Sequence, residues 1–294
     1  MATPLPIAWL NGTFLPLSEA RISPLDRGFL FADSVYEVLP VYGGRPFLFN
    51  AHIGRLERSL AAIGMEPPMT RAAWASILQE LVQRNDGGEQ FVYIQVSRGA
   101  EFGRNHAPDP TLKPTIFLMA SPLTLLEDQV REKGVAAVTA ADERWKRCDI
   151  KSTSLLPNIL AKGAAARAGA TEAILLADGY LREGSSSAVL TVRDGAIYAP
   201  AEGPEILPST TRALALKLAA DLGIPIHIQS VTEASLREAD EVMLGFATRG
   251  VLPVCDIDGS PVGTGRPGPV WTRLNEAFDV YRSTVAYLPM DQEA

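Results

Sequence analysis

Lysine is scarce in this chain. Its only lysines are Lys113, Lys133, Lys146, Lys151, Lys162 and Lys217, and arginine supplies the rest of the basic residues. Where lysine is rare, one placed between apolar Ile150 and the polar run Ser152-Thr153-Ser154 is a candidate for a task that only an amine performs. Cysteine is scarcer still. Cys148 and Cys255 lie far apart and in no CxxC pattern, so neither a disulfide framework nor a zinc site follows, and no metal site is expected. Excess positive charge is lacking too. The formal net charge of −7 argues against a nucleic-acid partner and gives no attraction to an anionic membrane. No apolar run of 18 residues occurs, so no transmembrane helix is expected. The first sixteen residues lack a basic region followed by a long apolar run, so no signal peptide is read there and a cytoplasmic location is expected. Asn11-Gly12-Thr13 matches a glycosylation sequon but reads better as a hairpin turn. No G-x-G-x-x-G, no P-loop, no internal repeat and no low-complexity tract is present.

What is there suits a globular protein. The chain has 294 residues, 47% hydrophobic and 21% charged, enough for two domains or one large one. Residues 1–120 read as a small α+β unit. "IAWLNGTFLP" is a hairpin, and "SVYEVLPVY", Gly43-Gly44 and "RPFLF" a second. Asn50 is placed to cap a helix whose Ile53, Leu56, Leu60 and Ile63 share one face and which Gly64 ends. Thr70 is placed to cap the next. "QFVYIQVSRG" and "PTIFLMAS" read as strands. Residues 121–127 are the linker, and 128–294 form a larger domain. There, strands at "GVAAVTA", "AILLAD", "AVLTV", "IPIHIQ" and "EVMLGFA" alternate with helices after Pro157, after Thr210 and near the end. Hairpins mixed with crossovers favour an α/β or α+β fold over a Rossmann sheet.

Six features carry chemistry. A strand ending "CDIKS" would present Lys151 inward, and an amine acts as a nucleophile only when deprotonated. Neighbouring Cys148 is more simply a small buried residue than a nucleophile. Glu183 precedes a glycine and three serines, which offer hydroxyls and N–H groups in a turn. Ser209, Thr210 and Thr211 open a helix, where free N–H groups and the positive dipole end suit a phosphate or are simply capped. "LGFATRGVLPV" runs from a strand into a turn at Thr248. Arg55 lies on the polar side of its helix. Arg104 and His106 sit in a loop, with donors that clamp a carboxylate. Amine, acid, phosphate anchors and carboxylate clamp together are the equipment of a pyridoxal phosphate enzyme acting on an amino acid.

At this point the sequence resembles the fold-type IV, class IV pyridoxal phosphate aminotransferases, and within them the bacterial D-amino acid transaminases. "DRGFLFADSVYEV", "HIGRL", "RNH", "RWKRCDIKS", "EAILLADGYLREGSSS" and "ILPSTTR" stand in the family's order and spacing, and the likeness runs almost end to end. It implies a two-domain fold whose C-terminal domain holds pyridoxal 5'-phosphate on a mixed, barrel-like sheet. It implies that Lys151 is the Schiff-base lysine and proton carrier, and that Glu183 meets the pyridine nitrogen. Arg55, Thr210, Thr211, Ala247 and Thr248 would hold the phosphate, with Ser186 beside the ring and Leu207 supporting its face. Tyr36, Arg104 and His106 would trap the substrate α-carboxylate, the mark of the D-amino acid type. The implied activity moves an amino group between D-amino acids and 2-oxo acids by a ping-pong cycle, in a homodimer. A branched-chain L-transaminase, a 4-amino-4-deoxychorismate lyase and a phosphate-binding relic of the fold are the alternatives. The sequence departs from the family at Ala188, where an asparagine is common, at Leu190, where an aromatic is, and at Ala199 and Ala247, where threonine is usual. The loop 98–106 is one residue longer. Weaker cofactor retention is the expected result.

Overall fold

The computed structural model describes residues 3–285. Residues 3–124, 150–154 and 282–285 belong to one unit; 125–149 and 155–281 belong to another.

In the first unit, β1 (Ile7–Leu10) and β2 (Thr13–Pro16) form the expected hairpin, with Asn11 and Gly12 at φ 47° and 100° in the turn. The short helix α1 (Arg27–Phe31) is capped by Asp26, whose side chain accepts from the Gly28 N–H at 2.8 Å. β3 (Ser34–Tyr42) turns at Gly43-Gly44 into β4 (Arg45–Pro46), which is only two residues long. The chain enters α2 (Phe49–Ala62) through Leu48 in the left-handed region, φ 54°. Asn50 therefore lies inside α2 and does not cap it, because that backbone turn starts the helix earlier. Ile53, Leu56 and Leu60 are fully buried along one face, and Gly64, at φ 69°, follows the helix end. Thr70 caps α3 (Arg71–Arg84), accepting from the Ala73 N–H at 3.2 Å. β5 (Gln90–Ser97) and β6 (Thr115–Pro122) complete an antiparallel sheet of order β2-β1-β6-β5-β3-β4. Leu39, Val92, Ile94 and Leu118 pack with the apolar faces of α2 and α3 in its core.

β4 covers only one end of β3, so the Ser34–Glu37 end stays open to another partner. Residues Ile150–Ser154 take that place. Tyr36 donates its N–H to the Lys151 carbonyl at 2.9 Å, Thr153 donates to Ser34 at 3.1 Å, and Val35 bridges Ser152. The expected strand ending at Ser152 is thus a short bridge: it pairs over too few residues to form a ladder. Ile150 is buried in the first unit's core.

The second unit contains α4 (Asp128–Lys133), β7 (Val135–Ala141), α5 (Leu156–Arg167), β8 (Glu172–Ala177), β9 (Tyr180–Gly184), β10 (Ala188–Arg193) and β11 (Ala196–Ala199). Then follow α6 (Thr210–Asp221), β12 (Ile226–Ile228), α7 (Glu233–Arg237), β13 (Glu241–Phe246), β14 (Gly250–Ile257), β15 (Ser260–Pro261) and α8 (Pro269–Val285). The sheet has the order β12-β11-β10-β13-β14-β7-β8-β9, with β15 on β14. It is mixed: β11·β12, β14·β7 and β7·β8 are parallel, the other pairs antiparallel. Three hairpins turn on Asp-Gly pairs whose aspartates take φ 51–55° (Asp178, Asp194 and Asp258), the left-handed geometry that such two-residue turns demand. The outermost strand β9 reaches β10 through only Ser185–Ser187, although β10 stands far along the sheet. So short a link spans the gap only if the sheet curls until β9 and β10 approach, which gives the barrel-like form. Among the described residues no helix is long and apolar enough to cross a membrane.

Candidate active site

Lys151 is half-buried and fixed at its backbone. Its carbonyl accepts from Tyr36, its N–H donates to the Ser59 hydroxyl at 3.2 Å, and its Nζ stands 4.3 Å from the centre of the Tyr36 ring. Two sequence-expected residues, Lys151 and Tyr36, are thus brought together on the open end of β3.

Arg55 is 4% exposed, on the buried side of α2 rather than the polar side. The reason is Glu37, fully buried on β3. Arg55 Nε donates to Glu37 Oε1 at 2.6 Å and Nη2 to Oε2 at 2.9 Å. His52, one turn earlier on α2, donates its Nδ1–H to Glu37 Oε2 at 2.8 Å. Burial works against the charge on Glu37. The Arg55 charge and the bonds from Arg55 and His52 overcome it and hold the carboxyl well below the usual range. Burial pushes His52 down as well, against the pull of Glu37, and the charges of Arg55 and Lys151 add to the effect. His52 is therefore a neutral donor.

Arg104 and His106 lie exposed in the loop between β5 and β6. Both pack on Phe31: the Arg104 guanidinium is 4.9 Å from the ring centre, the His106 ring 5.5 Å. The structure groups these two residues with each other, while Tyr36 is grouped with Lys151.

In the second unit, Glu183 is the penultimate residue of β9, at 7% exposure. It accepts from Arg144 Nη1 and from the Leu207 N–H, 3.2 Å from each carboxylate oxygen. Arg144 also grips Asp142 with two bonds of 2.8 Å. Burial opposes the Arg144 charge, but Asp142 and Glu183 raise its pKa above the ordinary arginine value, so a fixed positive charge stands beside Glu183. Leu207, expected beneath a ring, also contributes its backbone to the placing of Glu183.

The serine turn after Glu183 has its own anchor. Glu172, fully buried on β8, accepts from the hydroxyls of Ser185, Ser186 (2.7 Å) and Ser187 (3.1 Å). Lys162 Nζ lies 3.3 Å from the same carboxylate. Gly184 is required here: a Cβ would meet the Ser187 hydroxyl at 2.1 Å. Thr210 and Thr211 form the first turn of α6, capped by Ser209, which accepts from Arg212 at 3.2 Å. Ala247 and Thr248 lie in the turn after β13. Gly245 of that strand passes so close to Thr211 that a Cβ would touch its methyl at 3.5 Å. The helix terminus and the turn are therefore neighbours. Cys148 is buried and donates to the Trp145 carbonyl at 3.1 Å. Burial raises its thiol to about 11, which makes it a poor nucleophile.

Sequence reasoning missed Glu37, His52, Arg144 and Glu172. A signal existed for Glu37, a lone charge at a core-facing position of an apolar alternation. Arg144 had none, since it stands in a charged run.

The class IV amino-transferase family model matches residues 34–257, and the chain belongs to that family. It is 40% identical over 271 residues to a D-alanine aminotransferase of Bacillus licheniformis, covering 91% of this chain and 94% of that one. It is 38% identical to a D-alanine aminotransferase of Staphylococcus aureus (strain MSSA476), over 93% of this chain and 96% of the relative. The T.th. branched-chain amino acid aminotransferase, solved with pyridoxamine 5'-phosphate, superposes with a TM-score of 0.87 at 31% identity. The match covers 96% of this chain and 94% of that one.

Proposed function

We propose that this chain is a D-amino acid transaminase that moves the amino group of D-alanine or D-glutamate to 2-oxo acids, with pyridoxal 5'-phosphate as its cofactor. The observation that carries the reading is the tethering of Lys151 beside Tyr36 on β3. The donor set fits the cofactor. It comprises a backbone-fixed amine, a carboxylate oriented by an arginine, and a helix N-terminus beside a turn, each suited to one part of that molecule. Bound pyridoxal phosphate supplies an aldehyde for the amino group and a ring that spreads the negative charge left at Cα.

The chain's own residues do the rest. Arg55, Thr210, Thr211, Ala247 and Thr248 hold the phosphate. Ala247 offers only its backbone N–H, which favours weaker retention. Glu183 would accept a hydrogen bond from the pyridine N–H and keep that nitrogen protonated, with Ser186 beside the ring and Leu207 supporting its face. Tyr36, Arg104 and His106 take the α-carboxylate and so set which face of the substrate meets the lysine. Lys151 Nζ, in its unprotonated form, removes the Cα proton and delivers it on the way to the 2-oxo acid. A second oxo acid reverses the sequence, so ping-pong kinetics follow. Cys148 and Cys255, both buried free thiols, are consistent with a cytoplasmic location. Leu156, Ile159 and Leu160, exposed by 59–66% on α5, support a homodimer.

K151A tests the assignment: the visible absorbance of the bound aldehyde and nearly all turnover should disappear. Unchanged spectra and rates refute it. D- and L-alanine assayed side by side separate this reading from a branched-chain L-transaminase. An absolute need for an oxo acid separates it from a lyase.

A further inference from the structure

The proposed carboxylate clamp sits on a loop with little burial of its own. Residues 102–110 are exposed and form no strand or helix, so burial does not order them. The base of the loop is fixed: Arg27 N–H donates to the Gly99 carbonyl at 2.9 Å and Asp26 bridges Ala100. Gly99, at φ 107°, also permits the close approach of Lys113, since a Cβ there would meet the Lys113 carbonyl oxygen at 2.0 Å. In the distal part, Arg104 and His106 pack on Phe31, and one side chain takes the backbone carbonyls. Arg27, 3% exposed, donates from Nη1 to the Asn105 carbonyl at 2.6 Å and from Nη2 to the His106 carbonyl at 2.9 Å. The same guanidinium is oriented by Asp33 (Nε, 2.9 Å) and Glu101 (Nη1, 2.9 Å). It also lies 4.8 Å from the centre of the Phe31 ring on which Arg104 and His106 pack. Two carboxylates already face Arg27, so its charge is neutralised locally and it is no candidate for binding substrate itself.

We propose that Arg27 is a positioning residue for substrate recognition: it fixes the backbone at Asn105 and His106 so that Arg104 and His106 are presented together to a carboxylate. The inference rests on the clamp reading above. An arginine is needed because one planar fork reaches two successive carbonyls and two acids at once. A lysine ammonium keeps the charge but not that span.

R27K and R104A, alone and combined, test it in the holoenzyme. R27K should raise KM for D-alanine and for 2-oxoglutarate about 10–100-fold, since a misplacement of about 1 Å in a positioned group costs on that order. Its kcat and its affinity for pyridoxal phosphate should stay within about threefold. In the R27K/R104A double variant, KM should match that of R104A alone, because both changes disable one clamp. A KM unchanged in R27K but raised in R104A overturns the role of Arg27. Effects that multiply in the double variant, or a joint fall of kcat and cofactor affinity in R27K, overturn it too. An unchanged KM in R104A overturns the clamp reading itself. Should R27K fail to fold, E101Q, which removes one acid orienting Arg27, takes its place: KM should rise at least about threefold with kcat kept, and an unchanged KM overturns the proposal.

Discussion

The two units each contain a buried arginine–glutamate pair, and the pairs are built the opposite way round. In the first unit the proposed ligand group is Arg55, and Glu37, with help from His52, is the group that orients it. In the second unit the proposed ligand group is Glu183, and Arg144, braced by Asp142, orients it. The exposures differ little, yet the aiming group in the first pair is fully buried at 0% and that in the second is 6%. A buried charge becomes a large liability when its main counter-charge is removed. Removing the aiming group should therefore cost more stability in the first pair than in the second.

The sharpest break of that contrast is E37A. It takes the main counter-charge from Arg55 inside the first unit and should cost about 3–5 kcal/mol, read by urea unfolding. Its mirror, R144M, should cost less stability, about 1–3 kcal/mol, but lower kcat about 10–100-fold by releasing Glu183. If R144M destabilises more than E37A, the contrast fails. The third test uses acid. His52 has a folded pKa below its unfolded value near 6.5, so its contribution is complete above about pH 6.5 and is lost as pH falls through the folded value. Glu37 has the same sign at lower pH, starting from an unfolded value near 4.3. H52N retains a donor and removes the titration. Its stability should therefore fall less steeply than wild type from about pH 6.5 downwards. A parallel profile would mean that His52 is not held neutral. The smallest effects are at helix caps. T70A and S209A should each cost about 1 kcal/mol, but only S209A should also weaken pyridoxal phosphate binding, since only α6 opens among the proposed phosphate anchors.

The groups proposed to meet the ligand stood out in the sequence because chemistry limits them: an amine, an acid beside serines, an arginine on a helix. Turns were legible for the same reason, as at Asn11-Gly12 and the Asp-Gly pairs. The aiming groups were not. Arg144 looks like any residue of a charged run, and its role depends on Asp142 and Glu183 converging on it. Glu172 opens a strand as an ordinary acid would, and only the pairing of β8 with β9 brings three serines onto it. Asn50 misled because a cap depends on backbone angles, and Leu48 took them. The short bridge at Lys151 was read as a strand because local pattern does not reveal how many partners a segment finds.

That bridge governs the order of events during synthesis. The amine occupies its seat on β3 only after residues 150–154 have left the ribosome, long after the sheet it joins has been made. Until then the early sheet lacks Ile150 from its interior and keeps part of β3 unpaired. A truncated product ending at Thr124 should accordingly be prone to aggregate.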